Sequence, residues 1–140
     1  EEAEMQVYRN ILVAMDCSEV DDFIVDHVSK LARQNKAKVF LIHVVHSHTL
    51  DQDRALREQA EAALSVHLKR LRDEGIEVEA IVRSGEPDEQ ILKEIDEHDY
   101  DLVAMATHGH SFVGKLLFGS VSRTLKHKIN VPLLIVRPSR

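Results

Sequence analysis

Five short apolar runs alternate along this chain with four amphipathic segments, and that alternation leaves few folds open. The runs are Asn10–Met15, Lys38–Val45, Ile76–Val82, Asp101–Ala106 and Val131–Val136. Each has strand length and is mostly apolar at odd and even positions alike, as strands buried on both faces are. The intervening segments carry helical periodicity. The first opens with Ser18 and Asp21 at capping-box spacing and shows a stripe of Val20, Ile24, Val28 and Leu31. The second is expected from about Asp53 to Glu74, with Leu56, Ala60, Ala63, Leu64, Leu68 and Leu71 inward and a stop at Gly75. Pro87, followed by Asp88 and Glu89, marks the first turn of the third, whose core positions are Ile91, Leu92 and Ile95. The fourth begins near Gly119-Ser120 and presents Val121, Leu125 and Ile129. Strand and helix alternating with short connections predict right-handed crossovers: an α/β domain, doubly wound on a five-stranded parallel sheet with helices on both faces. No linker or repeat divides the chain, so residues 10–140 are read as one domain preceded by an extension over 1–9.

At 140 residues the chain is long enough for a core of its own. It has no apolar run of the roughly 18 residues that a membrane span needs. The acidic start Glu1-Glu-Ala-Glu lacks a basic leader, and Cys17 is the single cysteine. These features predict a cytoplasmic protein without membrane association. Charge is divided unevenly: all 24 acidic residues lie at or before Asp101, and from Leu102 onward there are six basic residues and no acid. An overall acidic chain with 4% aromatic residues is a poor partner for nucleic acid.

The acid-free segment holds the motif richest in chemistry. A strand ending at Ala106 leads through Gly109 to Gly119-Ser120, with Ser122 beyond, at the start of a helix. Glycines admit close approach of an anion, and the unpaired N–H groups of a new helix favour negative charge. The run Gly109-x4-Gly114-Lys115 meets Leu116 where G-x4-G-K-[ST] needs a hydroxyl, and no nucleophile–base–acid set declares itself, so vigorous hydrolysis is not indicated. His108 and His110 lie in the same loop and, when protonated, would face phosphate. His43, His46 and His48 suggest a metal site, but their positions at a strand end aim them differently and no second cysteine accompanies them.

Over Asn10 to Arg137 the chain resembles the universal stress protein family. The pattern of its nucleotide-binding branch, G-x2-G-x9-G-[ST], reads here as Ala106-Thr-His-Gly109, nine residues, then Gly119-Ser120, with alanine at the first glycine. Asp16 after the first strand, Gly85-x-Pro87 before the third helix and Val131-Pro-Leu-Leu-Ile-Val136 fit the same family. The resemblance implies strand order 3-2-1-4-5, ATP with Mg2+ at the carboxyl edge of the sheet, and a homodimer through the strand from Val131 to Arg137. By matching position it implies that Asp16 bonds the ribose hydroxyls and that Ala14 lies beside the adenine. The Val44 backbone would read the adenine edge with Met105 nearby, and Ala106, Gly109, Gly119, Ser120, Val121 and Ser122 would surround the phosphates. Two rival readings stand beside this one. The first is a dimeric interaction module without nucleotide, which Ala106 favours; the second is a histidine metal module.

Overall fold

The computed structural model describes residues 6–107 and 117–138. Five strands and four helices follow one another as β1 (Asn10–Ala14), α1 (Asp21–Asn35), β2 (Lys38–Val45), α2 (Leu50–Asp73), β3 (Val78–Ser84), α3 (Pro87–Glu97), β4 (Leu102–Ala106), α4 (Leu117–Lys128) and β5 (Leu133–Val136). All neighbouring strands are parallel, in the order β3-β2-β1-β4-β5. The doubly wound α/β sheet and its strand order are as expected.

Burial explains which run became which strand. Ile11 to Ala14 of β1 and all five residues of β4 are buried, because both strands sit mid-sheet with layers above and below. The edge strand β5 is half-buried throughout. Right-handed crossovers send β1-α1-β2-α2-β3 and β3-α3-β4-α4-β5 in opposite directions from the centre. Helices α1 and α2 are tied together by Arg70 with Asp26 at 2.9 Å and by Arg33 with Glu74. Thr124 Oγ1 of α4 donates to Asp88 of α3 at 3.2 Å. The junction between β1 and β4 is therefore the point at which connections diverge, where a crevice opens at the strands' carboxyl ends.

Several element ends differ from the sequence expectation. Thr49 caps α2 by accepting the Gln52 N–H at 3.0 Å, while Gln52 Oε1 accepts the His48 N–H at 2.6 Å; this Thr-x-x-Gln arrangement starts the helix at Leu50 rather than near Asp53. Its stop is as expected: Gly75 takes φ +82°, and the Ile76 N–H bonds back to the Leu71 carbonyl at 3.0 Å. Strand β3 begins at Val78 and β5 at Leu133, each two residues later than the apolar runs suggested. Helix α4 is already formed at Leu117, so Gly119 and Ser120 lie within its first turn instead of initiating it. The expected capping box of α1 does not form; Val20 is its N-cap and no side chain caps it.

At the opposite, amino end of the sheet, the Asp101 carboxylate accepts the N–H groups of Arg9 and Asn10 at 2.8 and 3.0 Å, joining the starts of β4 and β1. Glu94 of α3 is buried and receives Arg83 Nη1 at 2.7 Å, the Tyr100 hydroxyl at 2.6 Å and His98 Nδ1 at 3.0 Å.

Candidate functional site

The ladder of β1 with β4 sets Ala14 opposite Met105, and that of β1 with β2 sets Ala14 opposite Ile42. The Met15 N–H continues the second ladder by donating to the Ile42 carbonyl at 2.8 Å. Strand β2 extends beyond β1 through His43 and Val44. On the other side the Thr107 N–H donates to the Val136 carbonyl at 2.8 Å, extending β4 beside β5. Ala14, Met105, Ala106 and Val44 thus gather at one edge of the sheet, all of them buried.

Asp16, the first acid after β1, is 4% exposed, and its Oδ2 accepts the Ser18 hydroxyl at 2.6 Å. Its own N–H and that of Cys17 go to the two carboxylate oxygens of Asp21, at 2.9 and 2.8 Å. Burial pushes the Asp21 carboxyl above the usual carboxylate range, against the pull of those two N–H groups. The acid read from sequence as half of a capping box on Ser18 therefore holds the loop instead. The turn itself is sharp: Cys17 has φ +59°, a left-handed conformation that costs a non-glycine residue about 1–2 kcal/mol.

In α4, Gly119 and Ser120 are exposed, whereas Val121 and Ser122 are buried. The Ser122 hydroxyl donates to the Gly119 carbonyl at 3.2 Å. Among the described residues a Cβ built on Gly119 meets no atom within 4 Å. Gly109, His108 and His110 lie outside the described residues. Ala106 closes β4 without the positive φ that only Cys17 and Lys36 show among described non-glycine residues. Its methyl group therefore needs no glycine conformation.

The histidines separate. His43 Nδ1 lies 2.8 Å from the Met15 carbonyl oxygen, a role for which the sequence offered no signal beyond the position of His43 at a strand end. His46 is 3.2 Å from Glu86 and packs edge-on against His48 with ring centroids 5.4 Å apart. Among the described residues the three-ligand cluster with ligand atoms within 4.8 Å of one another is Glu94, Glu97 and His98, away from this triplet. Arg83 binds both of its carboxylates, which opposes a cation there.

Comparison with known proteins agrees with the fold. The chain is 25% identical to the universal stress protein MJ0577 of Methanocaldococcus jannaschii over 94% of its own length and 96% of that protein's. To YxiE of Bacillus subtilis it is 25% identical over 94% and 100%. The solved structure of MJ0577 superposes with a TM-score of 0.82 at 27% identity, covering 96% of this chain and 99% of that one. A universal stress protein of Archaeoglobus fulgidus in complex with dAMP superposes with a TM-score of 0.72 at 26% identity, covering 93% and 98%. The model of the universal stress protein family matches residues 7–137. A central parallel sheet in the order β3-β2-β1-β4-β5, matched over nearly its whole length, makes this chain a member of the universal stress protein family.

Proposed function

We propose that this protein binds an adenine nucleotide, ATP with Mg2+, at the carboxyl edge between β1 and β4, and that occupancy regulates its conformation or its affinity for partners. The observation that carries the reading is the pairing of Ala14 with Met105, which brings the Asp16 loop and the end of β4 to one crevice. The Archaeoglobus fulgidus relative solved with dAMP supports an adenine ligand. Asp16 takes the ribose hydroxyls, and Ala14, Met105 and the Val44 backbone frame the base. Ala106, Gly109, Gly119, Ser120, Val121 and Ser122 surround the phosphates, where exposed Gly119 and Ser120 in the first turn of α4 offer backbone N–H groups to an anion. With Leu116 where the phosphate-loop pattern has a metal-binding hydroxyl, and no nucleophile–base–acid set in the sequence, turnover is slow at most. The protein acts in the cytoplasm as a homodimer paired along residues 131–137.

Thermal unfolding tests the ligand. A species that binds only the folded state adds RT ln(1 + [L]/Kd), about 2.7 kcal/mol at a hundredfold excess over Kd. Magnesium ATP should raise the melting temperature, and GTP should do so much less. Denatured purified protein should also release adenine nucleotide to chromatography. An unchanged melt in millimolar ATP together with no released nucleotide would leave the interaction module as the better reading.

A further inference from the structure

Two side chains hold the backbone of three consecutive residues between β1 and α1. The Met15 carbonyl faces His43 Nδ1 at 2.8 Å. A carbonyl oxygen has no proton to give, so Nδ1 carries the hydrogen and the tautomer of the ring is fixed. The next two N–H groups, of Asp16 and Cys17, occupy Oδ1 and Oδ2 of Asp21. Asp21 stands in the first turn of α1, yet the helix does not need its carboxylate as a cap. The N–H groups of Asp21, Asp22 and Phe23 already bond the carbonyls of Ser18, Glu19 and Val20 at 3.1, 3.3 and 3.1 Å. Both oxygens of a side chain only 1% exposed are spent on the loop. An ionised group is costly to bury, and here it meets that cost with two charge-assisted hydrogen bonds to the segment bearing Asp16.

We infer that Asp21 and His43 are the positioning residues of the nucleotide site, setting the backbone from Met15 to Cys17 before a ligand arrives; this rests on the nucleotide reading above. One clamp comes from α1 and the other from β2, so the loop is referenced to two rigid elements. A preset loop spares the ligand the entropy of ordering it.

The test is calorimetric titration of magnesium ATP into wild type, Asp21→Asn, His43→Leu and His43→Asn, with melting of each nucleotide-free protein. Asp21→Asn turns an NH2 group toward one of the two N–H donors, and His43→Leu removes the donor to Met15; each should bind about tenfold more weakly or worse. Asparagine at position 43 sets an amide nitrogen near the place of Nδ1, and should restore affinity to within about threefold of wild type. A role in packing alone would lower the melting temperature of both position-43 variants and leave their affinities alike. Amide exchange at Asp16 and Cys17 should quicken in Asp21→Asn while Ile11 to Val13 stay protected. If Asp21→Asn does not fold, the two variants at position 43 decide. Wild type that takes up no ATP overturns the nucleotide reading and this inference with it. Wild type that binds, beside Asp21→Asn and His43→Leu that bind within twofold of it, overturns this inference alone.

Discussion

The Tyr100 hydroxyl donates to Glu94 Oε2 over 2.6 Å, and both residues are buried. The same carboxylate takes Arg83 Nη1 at 2.7 Å, so a charge buried beneath α3 is neutralised by a side chain from β3 and hydrogen-bonded by one just before β4. Burial, then the neighbouring carboxylate, holds the phenol well above its ordinary ionisation range, so it remains a donor at any working pH. Tyr100→Phe should cost about 1–2 kcal/mol, since Glu94 keeps its cation. Arg83→Met should cost more, about 2–3 kcal/mol, because it strands the carboxylate; the partial exposure of Arg83 keeps the loss below that of a fully buried pair. Urea unfolding checks the order, and equal or reversed losses would show that Arg83 does not carry the charge balance.

A second prediction concerns acid. Asp53 at the start of α2 is held below the usual carboxylate range, first by the Ser84 hydroxyl at 2.5 Å, then by Ser47 and Arg57. A carboxyl whose folded value lies below its unfolded value stabilises the fold above the unfolded value, near 3.8, and loses that contribution as pH falls through the folded one. Asp53→Asn should therefore destabilise at neutral pH, and the difference from wild type should shrink on acidification below about pH 4. Denaturant melts of both proteins across that range check it; a difference that grows on acidification would reverse the sign.

How far the sequence led is clearest at these same elements. Apolar periodicity located every strand, because β1 and β4 are buried on both faces and say so residue by residue. It missed the ends of β3 and β5, where pairing begins only once a neighbouring strand supplies partners, at Val39 with Val78 and at Val103 with Leu133. Ala14, Asp16, Met105 and Ala106 were legible as strand ends, but their meeting at one edge needed the strand order, which periodicity does not supply and only the family resemblance implied. The contact of His43 with Met15 spans 28 residues and has no period to betray it. Asp21 was misread because an acid three residues after a serine looks the same whether it caps a helix or reaches back to a loop.

Gly119 should separate binding from folding. A Cβ there meets nothing within 4 Å among the described residues and the residue is helical, so Gly119→Val should leave the melting temperature of the free protein unchanged or slightly higher. Its ATP affinity should fall about tenfold or more, since the side chain fills the space offered to phosphate. Ala106→Gly should behave in the opposite way: affinity at least equal to wild type, and stability lower by about 1 kcal/mol from lost backbone restraint and a lost buried methyl. Calorimetry beside thermal melts reads both, and wild-type affinity in Gly119→Val would place the phosphates elsewhere.

Strand β5 ends the sheet, and among the described residues its outer edge has no partner strand. Leu133 to Val136 are half-buried and apolar, without a charge to deter pairing, and Pro132, which has no N–H, stands just before the strand. Sedimentation should find wild type dimeric at micromolar concentration and Leu134→Lys with Ile135→Glu monomeric. A monomeric wild type, or a double variant of unchanged association, would remove β5 from the interface.

The outer face of α4 carries exposed Arg123, Lys126, His127 and Lys128, and no acid follows Asp101 anywhere in the chain. Positive charge is thus gathered in the α4–β5 segment, the positive pole of the charge distribution along the sequence. Joining two copies along β5 sets like poles side by side, so dissolved salt, by screening that repulsion over roughly 10 Å at 0.1 M, should tighten the pair where it loosens most charge-driven assemblies. An anionic nucleotide near the same pole would act in the same direction as salt, coupling occupancy of the crevice to the strength of the association by electrostatics alone.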